Sequence, residues 1–195
     1  MKNVIVTGVS SFIGAHLSKI LSSLNYNVIG TLTKDVEKYK GVQENRLKIL
    51  LNSNIQFDFM DLRDLKSVNR IINRYEPMYW FHHAAWTKDY TLNKFNLPYA
   101  NRINLNSLEL IYKSLSKINC LGIILTGSNA EYGNTDFASL EEDICNPLSK
   151  YGLSKLILTK RSFQLSHEYN IPTRVGRVFL PYGTYDNPNK LIPLV

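Results

Sequence analysis

The chain has 195 residues, 44% hydrophobic and 20% charged, enough to form one domain with a substantial core. Its +7 formal charge is scattered, with no basic run of the kind that marks a nucleic-acid arm, and reads as a solvated surface or as mild steering of an anionic ligand. No apolar run approaches the roughly 18 residues that span a bilayer, and Cys120 and Cys145 form no metal-ligand or redox pair, so the expectation is a reduced cytoplasmic protein with no membrane or nucleic-acid partner and no metal.

In chain order, the first apolar run is a predicted strand over Asn3–Thr7. Val4-Ile5-Val6 is a strand's length and stops at Thr7-Gly8, which does not fit a signal peptide. A helix follows over Phe12–Leu24, with Ile13, Leu17, Ile20, Leu21 and Leu24 near helical spacing. Strands are predicted over Asn27–Leu32 and Ile55–Met60, then a helix over Leu65–Arg74 after Asp64. A strand over Tyr79–His83, a helix over Asn104–Ile118, a strand over Gly122–Thr126, a long helix over Tyr151–Tyr169 and a strand over Thr173–Val178 complete the pattern. Repeated strand–helix alternation with short apolar strands predicts an α/β fold, a doubly wound parallel sheet of Rossmann type covered on both faces. Ligands bind at the carboxyl ends of such strands, so function is expected there, in the long loops after His83 and Thr126.

Thr7-Gly8-Val9-Ser10-Ser11-Phe12-Ile13-Gly14 runs from strand through tight turn to helix, the context in which a glycine motif holds a pyrophosphate. Gly8 permits the sharp exit, Gly14 the close packing of helix on sheet, and the helix N-terminus offers N–H groups and a positive dipole end. The middle position of the pattern, usually glycine, is Ser11, which either crowds the pyrophosphate or donates to it. At the end of the second strand Thr31, Leu32 and Thr33 are not acidic, Lys34 is basic and Asp35 comes late. An acid there would hold the adenosine ribose and repel a 2′-phosphate, so the reading favours NADP, with NAD the alternative and Lys34 otherwise a solvated loop residue. Asp61 can accept from the adenine amino group while Leu62 packs on the ring, unless Asp61 or Asp64 serves as a helix N-cap. Ala84 and Ala85 are small enough for close backbone approach; His83 reads as a packed or hydrogen-bonded histidine rather than a catalyst.

Tyr151 and Lys155 stand four apart at the start of the long helix, on one face. A phenol is a poor acid–base catalyst at neutral pH, and a nearby ammonium lowers its pKa, so Lys155 is expected to tune Tyr151 downward. Ser128, just beyond a buried strand, can hydrogen-bond a sugar oxygen beside Tyr151 or serve only as a turn residue.

Together these residues resemble the extended short-chain dehydrogenase/reductase family, the nucleotide-sugar epimerases, dehydratases and ketoreductases. The resemblance runs over essentially the whole chain. Thr7-Gly8…Gly14 is similar to the family's cofactor turn, Asp61-Leu62 to its adenine contact, His83-Ala84-Ala85 to its fourth-strand motif, and Asn104 to the asparagine that opens its next helix. Ser128, Tyr151 and Lys155 fall on its catalytic triad; Gly176–Gly183 and Asn187-Pro188-Asn189-Lys190-Leu191-Ile192-Pro193 resemble segments leading into the sugar-nucleotide site. The resemblance implies cofactor contacts from Gly8, Ser10, Ser11, Phe12, Ile13, Gly14, Lys34, Asp61, Leu62, Ala84, Ala85, Asn104, Tyr151 and Lys155. It implies substrate contacts from Ser128, Asn129, Tyr151 and Leu180, although Leu180 stands where many epimerases carry asparagine. The nearest likeness is to reductases and epimerases of nucleotide-linked 4-keto-6-deoxysugars made for surface polysaccharides. A dehydratase is not expected, because Asn129 and Ala130 replace the acids that follow the Ser/Thr, and Glu131 on an extended segment would point the opposite way from Ala130.

The resemblance further implies pairing of two copies through the long helices Asn104–Ile118 and Tyr151–Tyr169. The chain stops just after the motif that leads into the substrate region, so residues 1–195 are expected to be one NAD(P)-binding domain with the sugar and base pockets largely missing. The competing expectation is a non-enzymatic dinucleotide-binding module or redox sensor that retains the triad by descent.

Overall fold

The computed structural model describes residues 2–53, 55–90, 94–134 and 137–190. Six parallel strands form one sheet: β1 (Asn3–Thr7), β2 (Asn27–Leu32), β3 (Gln56–Phe59), β4 (Tyr79–His82), β5 (Gly122–Ser128) and β6 (Thr173–Val178). Their spatial order is β3-β2-β1-β4-β5-β6. The chain winds outward from β1 to β3, then returns to the other side of β1 at β4, so the topological switch point lies between β1 and β4.

The helices are α1 (Phe12–Ser23), α2 (Val42–Leu51), α3 (Leu65–Tyr75), α4 (Leu97–Asn106), α5 (Leu108–Ser116) and α6 (Lys150–Tyr169). Alternating strand residues divide the core into two layers. Val4, Val6, Val28 and Leu32 pack with Ala15, Leu21, Leu47 and Leu50 of α1 and α2. Ile5, Ile29, Trp80, Ile123 and Leu125 pack with Val68, Ile71, Ile111, Leu115, Leu158 and Leu165 of α3, α5 and α6. The doubly wound sheet expected from the alternation is therefore the observed architecture.

Three departures have physical causes. The segment between β2 and β3 contains α2, with Arg46, Leu47 and Leu50 buried, where no element is expected from the sequence. Asn104 does not open a helix: it is buried late in α4, which starts at the Asn96 cap with Pro98 in its first turn, and α5 follows from Ser107. Coverage on both faces holds for the inner strands, whereas the edge strands β3 and β6 leave residues such as Phe59 and Arg174 exposed. Leu191, Ile192 and Pro193 of the last motif lie outside the described residues.

Candidate functional site

The site begins at the switch point. Gly8, at φ 70°, turns the chain out of β1, and a Cβ there would stand 3.1 Å from the Ala84 Cα after β4. At Gly14 a Cβ would fall 2.5 Å from the Gly8 carbonyl oxygen, so both glycines keep open a cradle that a side chain would fill. Thr7, fully buried, ties the two strand ends together: its hydroxyl accepts from the His83 N–H at 2.9 Å and the Ala84 N–H at 2.8 Å. This clasp went unread in the sequence, where the threonine before Gly8 was its only signal.

Ser11 caps α1, its Oγ accepting from the Gly14 N–H at 3.0 Å. Its side chain is thus turned into the helix rather than over the cradle, and the hydroxyl proton is left for an outside acceptor. The first-turn N–H groups of Phe12 and Ile13 have no acceptor within their own helix, the usual basis of an anion site at an N-terminus. The Phe12 ring itself faces His16 and Arg46. Arg46 donates to the Ser10 carbonyl at 3.3 Å and the Tyr185 carbonyl at 2.9 Å, bracing the turn from α2.

A cleft of about 290 Å³ opens from this turn, lined by Gly8 and Ser10, the strand end Thr31–Thr33, Asp61–Arg63 and Ala84–Trp86. Of the expected cofactor residues, Gly8, Ser10, Asp61, Leu62, Ala84 and Ala85 line it; Lys34 does not. Lys34 is exposed, with Nζ 4.4 Å over the Tyr39 ring. Asp61 is held by the Arg63 guanidinium at 2.5 Å, which keeps its carboxyl below the usual range, so Arg63 is an added residue of this wall. The N-cap of α3 is Asp64, accepting from Lys66. Asp35, the late acid after β2, is paired with Lys38 at 2.6 Å. Asn104 anchors the loop after β4 by accepting from the Trp86 N–H at 2.7 Å, rather than facing the cleft.

Beyond Trp86 the expected triad does come together. Tyr151 at the start of α6 stands beside the Ser128 side chain at the end of β5, close enough for the serine to favour its phenolate. Its ring packs against Tyr90 and Phe95, at 5.2 and 5.8 Å between centroids. Lys155 is only 5% exposed and donates to the Thr126 carbonyl at 2.5 Å, with two further N–H groups on the same ammonium. Burial pulls its pKa from 10.5 to about 8, against the opposing charge of Glu131.

The expected tuning of Tyr151 is corrected here. Burial pushes the phenol above its ordinary value, and the Ser128 side chain beside it opposes this only in part. Desolvation of the ring among Tyr90 and Phe95 outweighs any help from a lysine that is itself buried. His83 is a packed histidine, its Nδ1 3.0 Å from the Thr126 hydroxyl and its pKa lowered to about 4 by burial.

The segment after Ser128 is also corrected. Asn129–Glu131 is a 3-10 turn, not an extended stretch, and Ser128 caps it with Glu131 in a reciprocal capping box. Glu131 points into the interior because it bonds the Ser128 N–H and Arg177, not because of strand alternation. Asn129 and Ala130 are partly exposed, and Leu180 stands 88% exposed after β6. Among the described residues no group of three or more His, Cys, Asp or Glu could hold a metal ion, and no helix is long and apolar enough to cross a membrane.

The strand order and the glycine turn at the switch point define a Rossmann-type fold with a candidate nucleotide cleft. The chain belongs to the NAD dependent epimerase/dehydratase family, matching it over residues 4–195. This is the extended short-chain dehydrogenase/reductase group that the motifs resemble. It is 27% identical to Protein CapI of Staphylococcus aureus, covering 95% of this chain and 56% of that protein. It is 29% identical to a putative UDP-glucose 4-epimerase of Methanocaldococcus jannaschii, covering 95% of this chain and 58% of that one. Among solved structures it resembles a UDP-glucose 4-epimerase of Thermotoga maritima with UDP-glucose, with TM-score 0.79 and 24% identity over 96% of this chain and 59% of that one. A UDP-glucuronic acid 4-epimerase of Bacillus cereus, in complex with UDP-glucuronic acid and NAD, has TM-score 0.77 and 24% identity over 97% of this chain and 60% of that one. The chain thus spans less than two thirds of the length of these relatives.

Proposed function

We propose that this chain is the nucleotide-binding and catalytic part of an enzyme that transfers hydride at a carbinol or ketone carbon of a nucleotide-linked sugar. The observation that carries the reading is the meeting of Tyr151, Ser128 and a buried Lys155 at the carboxyl end of β5, beside the glycine cradle. One relative and two solved neighbours carry the names of UDP-sugar 4-epimerases, and one of those neighbours holds NAD, which supports the substrate class and the cofactor.

The cleft suits a dinucleotide. Phe12, Ile13 and Ser11 would hold its pyrophosphate, Leu62 its adenine, and Lys155's remaining N–H groups the nicotinamide ribose. When bound, the nicotinamide supplies the hydride acceptor or donor. Tyr151 moves the proton between its phenol oxygen and the sugar oxygen, and Ser128 hydrogen-bonds that oxygen. With the phenol's pKa raised by burial, the positive charge of an oxidised nicotinamide is needed before Tyr151 can give up its proton at neutral pH.

Epimerisation through a transient ketone is the first reading. Reduction of a 4-keto sugar with NADPH is the second, favoured by the end of β2, where Thr31, Leu32 and Thr33 offer no acid, Asp35 is tied to Lys38, and Arg63 lines the cleft. Dehydration is disfavoured at Asn129 and Ala130, and Glu131 is committed to Ser128 and Arg177. Residues 1–195 as one cofactor-binding unit, Asn129 and Leu180 at the sugar, and pairing of two copies through α5 and α6 belong to the same proposal. The test is Tyr151→Phe in the full-length protein: turnover falls by about 10²–10⁴-fold while cofactor affinity stays within about twofold. Wild-type turnover in the variant would overturn the reading.

A further inference from the structure

The residue beneath the triad is an acid that the proposed chemistry does not use. Glu131 is fully buried. Its Oε1 accepts from the Ser128 N–H at 2.8 Å, and its Oε2 accepts from the Arg177 Nε at 3.3 Å. Arg177 is itself fixed from the far side, donating through Nη1 to the Tyr132 hydroxyl at 2.9 Å and the Glu141 carbonyl at 3.0 Å, with its guanidinium 4.7 Å over the Tyr132 ring. The fold makes room for this carboxylate: a Cβ on Gly127 would stand 2.7 Å from Oε1 and 2.9 Å from Val175. A buried acid with a dedicated cation, a dedicated glycine and a bond to the main chain of Ser128 is costly to build, and a turn could be made without it.

We propose that Glu131 is a positioning residue, whose Arg177-held carboxylate fixes the main chain of Ser128 and stands as the buried counter-charge of Lys155. The proposal deepens the functional reading above and rests on it for the roles of Ser128 and Lys155, but its test reads Lys155 directly and needs no turnover. Lys155 Nζ holds the Thr126 carbonyl and Glu131 Oε1 the Ser128 N–H, backbone groups two residues apart at the end of β5, so ammonium and carboxylate sit against the same stretch of strand, and the other groups facing Lys155 leave Glu131 as its anion. From the end of β4 and the residue after it come His82 and His83, both held neutral by burial, with pKa values of about 3 and about 4. From α6 comes Tyr151, whose phenol burial keeps protonated. From β6 comes Arg177, a cation already spent on Glu131. Burial favours the neutral amine at Lys155, and the Glu131 charge is the force that opposes it.

The sign of one titration separates this role from a merely structural one. The Lys155 ¹³Cε shift, assigned with Lys155→Met, is followed against pH by NMR in the chain without cofactor. In Glu131→Gln the amide still offers an oxygen to the Ser128 N–H, but the charge is gone. The Lys155 midpoint then falls by about one pH unit below the wild-type value, a tenfold loss of proton affinity. If Glu131 were only packing, the substitution would loosen the turn, admit water and move the midpoint up toward the ordinary lysine value. An unchanged or raised midpoint overturns the proposal. Should Glu131→Gln not fold, the wild-type chain gives a second measurement. The Ser128 amide proton, bonded to the same carboxylate, shifts in a step that shares the Lys155 midpoint. A Ser128 amide with no step there overturns the proposal equally.

Discussion

Lys155→Met should make the protein more stable at neutral pH while removing its activity. The ammonium is 5% exposed and its pKa falls from 10.5 to about 8, so keeping it charged in the folded state costs about 3 kcal/mol, at about 1.36 kcal/mol per pH unit. Methionine fills a similar volume with no charge. Against that gain, the Thr126 carbonyl loses its donor, a loss of about 1–2 kcal/mol for a buried acceptor. The net expectation is a stabilisation of about 1–2 kcal/mol, or about 2–8 °C in Tm for a chain of this size. The pH dependence follows from the lowered pKa. Below about 8 both folded and unfolded states hold the proton, and the wild type bears the full penalty. Between about 8 and 10.5 the folded state has shed the proton that the unfolded state still binds, so wild-type stability rises with pH. The variant lacks that rise, and its advantage disappears by about pH 10.5. Urea denaturation followed by circular dichroism at pH 7 and pH 10 measures both quantities. A variant less stable than wild type at pH 7, or a difference that does not change with pH, would refute the reasoning.

Gly14→Ala gains helix propensity of about 1 kcal/mol, yet its Cβ would lie 2.5 Å from the Gly8 carbonyl, so the overlap wins. Thermal melting should show a net loss of about 1–3 kcal/mol, and calorimetric titration at least a tenfold loss of dinucleotide affinity. Titrated side by side, NADPH should bind more tightly than NADH, because no free acid ends β2; equal affinities or tighter NADH would remove that argument. Phe137, Ile144, Leu148, Leu180 and Tyr182, in the loops after β5 and β6, are each at least 67% exposed, so the chain should self-associate as its concentration rises. Sedimentation velocity showing a single monomeric species at about 100 μM would contradict this.

The sheet was legible where hydrophobic pattern and punctuation agree. β1, β2 and β6 stand at the boundaries expected; at β1 and β2 this is because short apolar runs there end at turn residues. The glycine cradle was legible for the same reason, since strand, glycine turn and helix follow one another without interruption. α2 was hidden because Gln43, Glu44, Asn45, Arg46 and Lys48 dilute its apolar stripe, and its buried arginine reads as polar until Ser10 and Tyr185 are seen to accept from it. The start of α4 is carried by Asn96 and Pro98, an N-cap followed by a first-turn proline, whereas the apolar spacing that marks a helix in the sequence begins only at Leu105, next to Asn104. Tyr151, Lys155 and Ser128 could be paired from spacing and resemblance alone. Their electrostatics could not, because burial by Tyr90 and Phe95 and the inward turn of Glu131 depend on contacts distant in sequence.

The central claim is reversible hydride transfer at the sugar carbon next to Tyr151, with no dehydration of the sugar. Its most direct test gives the full-length protein a UDP-hexose deuterated at C4, with NAD or NADP present, and follows the products by NMR and mass spectrometry. The account predicts the C4 epimer, with deuterium retained at C4, no net change in the cofactor and no product from Tyr151→Phe. Loss of the label to solvent, or a 4-keto-6-deoxy product formed from the unmodified hexose, would contradict it.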